Sequence, residues 1–311
     1  MISLCIKSNK NDIIDFLFSD IANIDLDNIT FVKKQFSKYI NLIVHYSGNN
    51  ESEFYSALSN SIANCILCCY EEKIIHKLSM QNYFYFDNDD IVCIEKICNL
   101  LLSDAKCVSC ESDDKFFSAI NHIDNPEFDS VLSEIANRKN ILWCKVLKYI
   151  SSHKSILLEG FITFRIKDYI DILDNAVDFS VSQFVINREY TEFIDLLKIY
   201  INSHQINCNL VHLVYVNNES LLLDEEKNII SLTKNNLDTK FLSDITFSSN
   251  DYALNSLLTL LPKKIIIHLI NPEDDFINTI KSIFGDRVTI CTNCNICKTY
   301  RLLNNEQGLN S

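Results

Sequence analysis

The chain has only four glycines, Gly48, Gly160, Gly285 and Gly308, among 311 residues, where an average protein carries roughly 7%. The closest two, Gly285 and Gly308, stand 23 residues apart. Turns that need clustered glycines are therefore excluded: the G-x-G-x-x-G dinucleotide turn, the phosphate-cradling P-loop and the G-x-S-x-G nucleophile elbow. Collagen and the glycine-marked propeller repeats go with them. The fold has to be built from elements that tolerate ordinary residues throughout.

Hydrophobic periodicity supplies those elements. Ile2-Ser3-Leu4-Cys5-Ile6 alternates as a strand, and a helix capped by Asn11 or Asp12 follows through Ile13, Leu17 and Ile21. Strands are expected at 28–33 and 38–46, a long helix from Glu51 to about Ser79, a short aromatic strand at Tyr83–Phe86 and a helix to Leu102. From Glu127 to about Asn202 the pattern is helical almost throughout. There Ile186, Tyr190, Phe193, Leu197 and Tyr200 form a 4-3-4-3 stripe suited to helix packing. Strand and helix then alternate: a strand at 211–216, a hairpin from Leu221 to Leu232, a helix near 250–261, a buried strand at 264–269, a helix at 273–284 and a strand at 287–291. Gly285 is placed to stop the last of those helices. Gly160, inside a helix where it costs ~1 kcal/mol against Ala, predicts close packing at that point.

The resulting fold class is α+β. An N-terminal α+β module spans 1–104, an acidic linker 105–126 and an all-helical module 127–205. A small C-terminal α/β module with a mixed sheet, 206–311, ends in a cysteine-rich tail.

The formal charge of −13 opposes general nucleic-acid coating and binding to an anionic membrane surface. The longest uncharged run, Phe54–Tyr70, contains five Ser and Asn residues and is short for a membrane span. Met1–Lys7 lacks the pattern of a secretory signal. Thirteen cysteines, an odd number in a long chain, read as reduced thiols of a cytoplasmic protein rather than as a disulfide framework.

The sharpest chemical pattern is Cys291-x2-Cys294-x2-Cys297. Thiolates at that spacing can turn toward one metal, as zinc or an iron–sulfur cluster requires. Three ligands leave one unassigned, with Cys208, Cys5 and His212 as candidates; the alternative is three unliganded thiols at a strand end. A second pair, Cys107-x2-Cys110, lies in the acidic linker, while Cys65, Cys68 and Cys69 follow an apolar helix pattern and read as core. His45, His212 and His268 fall in strands and read as satisfied core or edge residues. No catalytic constellation is visible.

The segment Glu159–Tyr169 brings Arg165 close to an apolar stripe, and Glu189 and Glu192 follow on the next helical stretch. Glu159, Arg165, Glu189 and Glu192 therefore form a candidate anion or partner site, or a structural ion pair fixing two helices. An enzyme site between the helical and C-terminal modules, using Arg165 and Glu189, is a third reading.

These residues also carry a family resemblance. The run Glu159-Gly160-Phe161-Ile162-x-Phe164-Arg165-x-Lys167-x-Tyr169 is followed by Val177-Asp178 and Glu189-Tyr190-x-Glu192-Phe193-Ile194-x-Leu196-Leu197. Then come Val211-His212-Leu213-Val214, Leu222-Leu223-Asp224 and the tail from Ile283 through Cys297. In that order they resemble the YtxC-like family of sporulation proteins of endospore-forming Firmicutes, from about residue 155 onward. The resemblance implies a role in sporulation and no particular reaction. The expectation is a cytoplasmic, non-enzymatic sporulation protein working through a protein partner, with a metal-binding or redox protein as the alternative.

Overall fold

Alternation in the first strands is strict, and the structure shows why. The computed structural model describes residues 2–103, 126–230, 248–269 and 274–307. The acidic linker up to Asn125, Cys107, Cys110 and His122 lie outside the described residues. Strand β1 (Ile2–Ser8) turns Leu4, Ile6 and Ser8 inward, and β3 (Ile40–Tyr46) does the same with Ile40, Leu42, Val44 and Tyr46. The two pair antiparallel, Leu4 opposite Val44 and Ile6 opposite Leu42, so one face of the sheet is continuously apolar. Outside β3 lies β2 (Ile29–Gln35), whose Lys33 and Lys34 mark a solvated edge. Gly48, just after β3, is needed for close approach: a Cβ there would meet the Tyr46 ring at 2.3–2.7 Å.

Two compact units are formed, residues 1–187 and 188–311. In the first, the sheet order is β2-β3-β1-β4. Strand β4 (Ser155–Leu157) pairs parallel to β1 and interrupts the stretch expected to be helical. Three residues are too few to show a period of two, so only pairing with β1 reveals the strand. The helices α1 (Asn11–Ala22), α2 (Glu51–Asn82), α3 (Asn88–Leu102), α4 (Pro126–Ile150) and α5 (Leu158–Arg165) belong to this unit. Their apolar stripes share one core with the sheet, joining Ile14, Leu17, Leu58, Ile62, Ile94, Leu142 and Val146. Cys65 is buried in it, whereas Cys68 is exposed. Tyr83–Phe86 is a turn rather than a strand, with Phe84 and Tyr85 exposed.

The expected module boundaries fall at 104/105, 126/127 and 205/206, and the two compact units meet at 187/188, inside the helix α6 (Lys167–Ser203). Its early residues Tyr169, Leu173 and Val177 join the first core, and its late residues Ile194 and Ile201 join the second. A period of 3.6 marks helix faces but not which core each turn enters. The stripe expected for helix packing corrects accordingly: Ile186, Tyr190, Phe193 and Tyr200 are 42–53% exposed, and only Leu197 of that set packs on the core. Gly160 is not a site of close packing either, since a Cβ there would meet only Leu157, at an ordinary 3.6 Å.

The second unit is a mixed sheet of order β6-β5-β7-β8. Strands β5 (Cys208–Val216), β7 (Pro262–Leu269) and β8 (Val288–Cys291) run parallel. The strand β6 (Glu219–Leu223) returns antiparallel on β5 through Asn217 and Asn218, both at positive φ as a tight two-residue hairpin requires. The hairpin thus joins β5 to β6, while Ile229 contributes only a single bridge to Leu223. Helix α7 (Ser249–Leu260) opens with a Ser248–Asp251 capping box. Helix α8 (Asp275–Phe284) is capped by Asp274 and closed by Gly285 at φ 52°, where any side chain would be strained. A last helix, α9 (Asn295–Gln307), lies against β5 and β7. Both units fit the α+β class.

Candidate metal centre

Strand β7 carries buried residues on both faces, as a central parallel strand must. Ile265, Ile267 and Leu269 enter the apolar core; His268 points the other way and is 3% exposed. In β5 the same alternation sends Val211, Leu213 and Tyr215 into that core and leaves His212 on the opposite face. Parallel pairing of β7 with β8 sets His268 opposite Cys291, the last residue of β8. The chain then turns, and Cys294 precedes α9 while Cys297 lies in its first turn. Two strand ends and a helix start therefore meet at the carboxyl edge of the sheet, where open α/β sheets characteristically place their sites.

Four donor atoms converge there: His268 Nδ1 and the Sγ atoms of Cys291, Cys294 and Cys297, all within 4.8 Å of one another. Cys294 Sγ lies 3.2 Å and Cys297 Sγ 3.5 Å from His268 Nδ1. Cys297 Sγ is 3.6 Å from Cys294 Sγ and 4.0 Å from Cys291 Sγ. A tetrahedral zinc ion with Zn–S of about 2.3 Å and Zn–N of about 2.0 Å needs S···S edges of about 3.8 Å and S···N edges of about 3.5 Å. The donor set and its spacing fit one such ion. An iron–sulfur cluster spreads its ligands over several iron atoms, whereas these four donors lie at the spacing of a single ion.

Electrostatics at the cluster differ residue by residue. Burial opposes ionisation of Cys294, but the Cys297 backbone N–H, the Cys291 and Cys297 thiols and the Ile296 N–H outweigh it and lower its pKa. Burial pushes Cys297 up to about 11, with the neighbouring sulfurs adding to the rise. His268 is held down to about 4 by burial and then by His212 and Lys227. His212 is lowered by burial and Lys227 against an opposing pull from Asp224. The Nε2 of His268 faces His212 Nδ1 at 2.9 Å.

The cysteines named from sequence thus come together, but the fourth donor is not one of those expected. Cys208 pairs with Pro262 at the amino end of the sheet, six residues and about 20 Å of strand from His268. Cys5 belongs to the first unit's sheet, between Ile43 and Ser155. His212 backs His268 instead of joining the sulfurs. His268, read from sequence as a core or edge residue, supplies the fourth donor atom. The available signal was its place near the end of a buried strand, one crossover before the cysteine-bearing strand.

The other candidate residues find separate environments. Glu159 Oε1 accepts from Ser8 Oγ at 2.6 Å, from Tyr70 OH at 3.2 Å and from the Asn9 N–H at 3.2 Å, all in the first unit. Arg165 is exposed and lies over the Tyr149 ring, 5.9 Å from its centroid. Glu192 pairs with Arg188 one turn earlier at 3.2 Å, and Glu189 is exposed. Sequence reasoning missed a partly buried network in the first unit. Arg138 meets Glu71 at 3.2 Å, and Glu71 also accepts from Tyr169 OH at 2.5 Å.

Among the described residues no helix is long and apolar enough to cross a membrane. No solved structure matches the chain. The uncharacterized protein YtxC of Bacillus subtilis (strain 168) is 25% identical over 132 residues, which cover 42% of this chain and 46% of that relative, so the match spans under half of the relative's length. The model of the YtxC-like family matches residues 56–289. That span includes His212 and His268 and stops just before the three cysteines. It covers more than half of the chain, and the chain belongs to the YtxC-like family.

Proposed function

We propose that residues 188–311 form a metal-binding module in which His268, Cys291, Cys294 and Cys297 hold one structural zinc ion. The observation that carries this reading is the convergence of four donors at single-ion spacing. Four protein ligands fill a tetrahedron and leave no position for substrate, which is the pattern of a structural rather than a catalytic site. Zinc would supply cross-linking: it ties α9 and the end of β8 to β7, which makes binding free energy part of folding free energy.

The module serves a cytoplasmic sporulation protein that acts through contacts with another protein rather than through a reaction. The ordered motifs from Glu159 to Cys297 support the sporulation assignment. Reduced thiols support the compartment. The exposed apolar residues Ile186, Tyr190, Phe193 and Tyr200 support a protein partner.

Metal analysis of protein purified without oxygen tests the metal reading. About one equivalent of zinc is expected, lost in Cys297→Ser; less than about a tenth of an equivalent overturns it. For the cellular reading, deletion of the gene should lower spore yield, and the wild-type chain should restore it. Unchanged yield removes the sporulation assignment.

A further inference from the structure

The four-donor site has a second histidine behind it. His212 is 8% exposed and His268 3% exposed. Their rings lie 5.1 Å apart between centroids at an interplanar angle of 23°. His212 Nδ1 and His268 Nε2 are 2.9 Å apart, so one proton lies between them.

The position of that proton decides whether His268 can be a ligand. A neutral imidazole carries one N–H, and its other nitrogen holds the lone pair that a metal requires. If His212 donated from Nδ1, His268 Nε2 would be the acceptor and the His268 proton would sit on Nδ1, facing Cys294 and Cys297. If His268 donates from Nε2, its Nδ1 presents a lone pair to the three sulfurs. His212 then accepts on Nδ1 and carries its own proton on Nε2. Only the second arrangement completes a four-ligand set.

We infer that His212 is the positioning residue of the metal site: by accepting the His268 Nε2–H it holds His268 in the tautomer and ring orientation that direct Nδ1 at the metal. This rests on the metal reading above. Outer partners of ligating histidines act in this way, and their loss lowers metal affinity by about 10–100-fold. The sheet gives His212 its place. In β5 it pairs with Ile266, two residues before His268 on β7, so the two rings occupy diagonal positions on one face.

The test uses the full chain loaded with zinc, after labelling its histidines with nitrogen-15. Long-range nitrogen–proton NMR should show His268 metallated at Nδ1 and protonated at Nε2, with His212 protonated at Nε2. Competition with a chromophoric chelator should show zinc affinity falling about 10–100-fold in His212→Phe. His212→Gln, which keeps an acceptor oxygen, should stay near wild type. If His212→Phe does not fold, the wild-type tautomers and the glutamine variant still decide. His268 bound through Nε2, a Nδ1 proton on His212, or unchanged affinity in His212→Phe overturns the role of His212 and leaves the metal site standing. A wild-type chain that binds no zinc overturns both.

Discussion

The two units bury polar chemistry in opposite ways. In the first, Arg138, Glu71 and Tyr169 form a closed set: the guanidinium also bonds to the Leu102 and Ile135 carbonyls. Both charges of the set have partners within the protein, beside a core to which six helices and a sheet contribute. In the second, the core is smaller, and the opposite face of its sheet gathers three thiols and two imidazoles. Thiols and imidazoles so crowded are neutral or mutually opposed until a cation joins them. The first unit's set pairs its own charges, and the second has a donor set that a cation would complete.

The largest effect that could break this contrast comes from metal removal. Structural zinc is worth about 10–16 kcal/mol of apparent binding free energy in zinc-finger peptides at neutral pH. A strong chelator, or Cys297→Ser, should therefore melt residues 188–311 while leaving the first unit folded. Hydrogen exchange resolved by peptide would show protection lost only in the second unit. Protection lost equally in both would end the contrast.

Next in size is the first unit's ion pair. Arg138→Leu leaves the partly buried Glu71 without its cation and should cost up to about 3 kcal/mol by urea denaturation. Replacing both, Arg138→Leu with Glu71→Leu, should recover much of that loss. Zinc content should not change in either variant. Tyr169→Phe removes one hydroxyl from the same carboxylate and should cost about 1–3 kcal/mol. A cost near zero would mean that Glu71 is satisfied without it.

The smallest effects separate two glycines. Gly285→Ala forces a side chain onto a φ of 52° and should destabilise the second unit by about 1 kcal/mol. Gly160→Ala adds a methyl group in ordinary contact with Leu157 on a helix and should stabilise the first unit by about 1 kcal/mol. Opposite shifts in thermal midpoint are expected; shifts of the same sign would contradict the backbone reading of one of them.

Much of the fold is legible in the order of the residues. Strong alternation gave β1 and β3, strong helical spacing gave α1, and Gly285 marked the end of α8. Weak or borrowed signals failed. β4 has three residues and exists because β1 offers it an edge. The aromatic run Tyr83–Phe86 has strand-like composition but makes a turn, held where Tyr83 OH donates to Asp178. The stripe through Ile186, Tyr190, Phe193 and Tyr200 is a real helix face, yet spacing says nothing of what covers it.

By itself the sequence determined what depends on neighbours along the chain. It set the elements, the exclusion of glycine-built phosphate and nucleophile sites, and the placing of three cysteines three residues apart at a strand end. Tertiary structure decided what depends on register. Only the parallel pairing of β7 with β8 sets His268 opposite Cys291, 23 positions away, and only the pairing of β5 with β7 puts His212 behind it. A one-residue slip in either pairing would turn the histidine to the other face of the sheet. The fourth donor of the site is thus a property of strand alignment, which no local pattern of residues encodes.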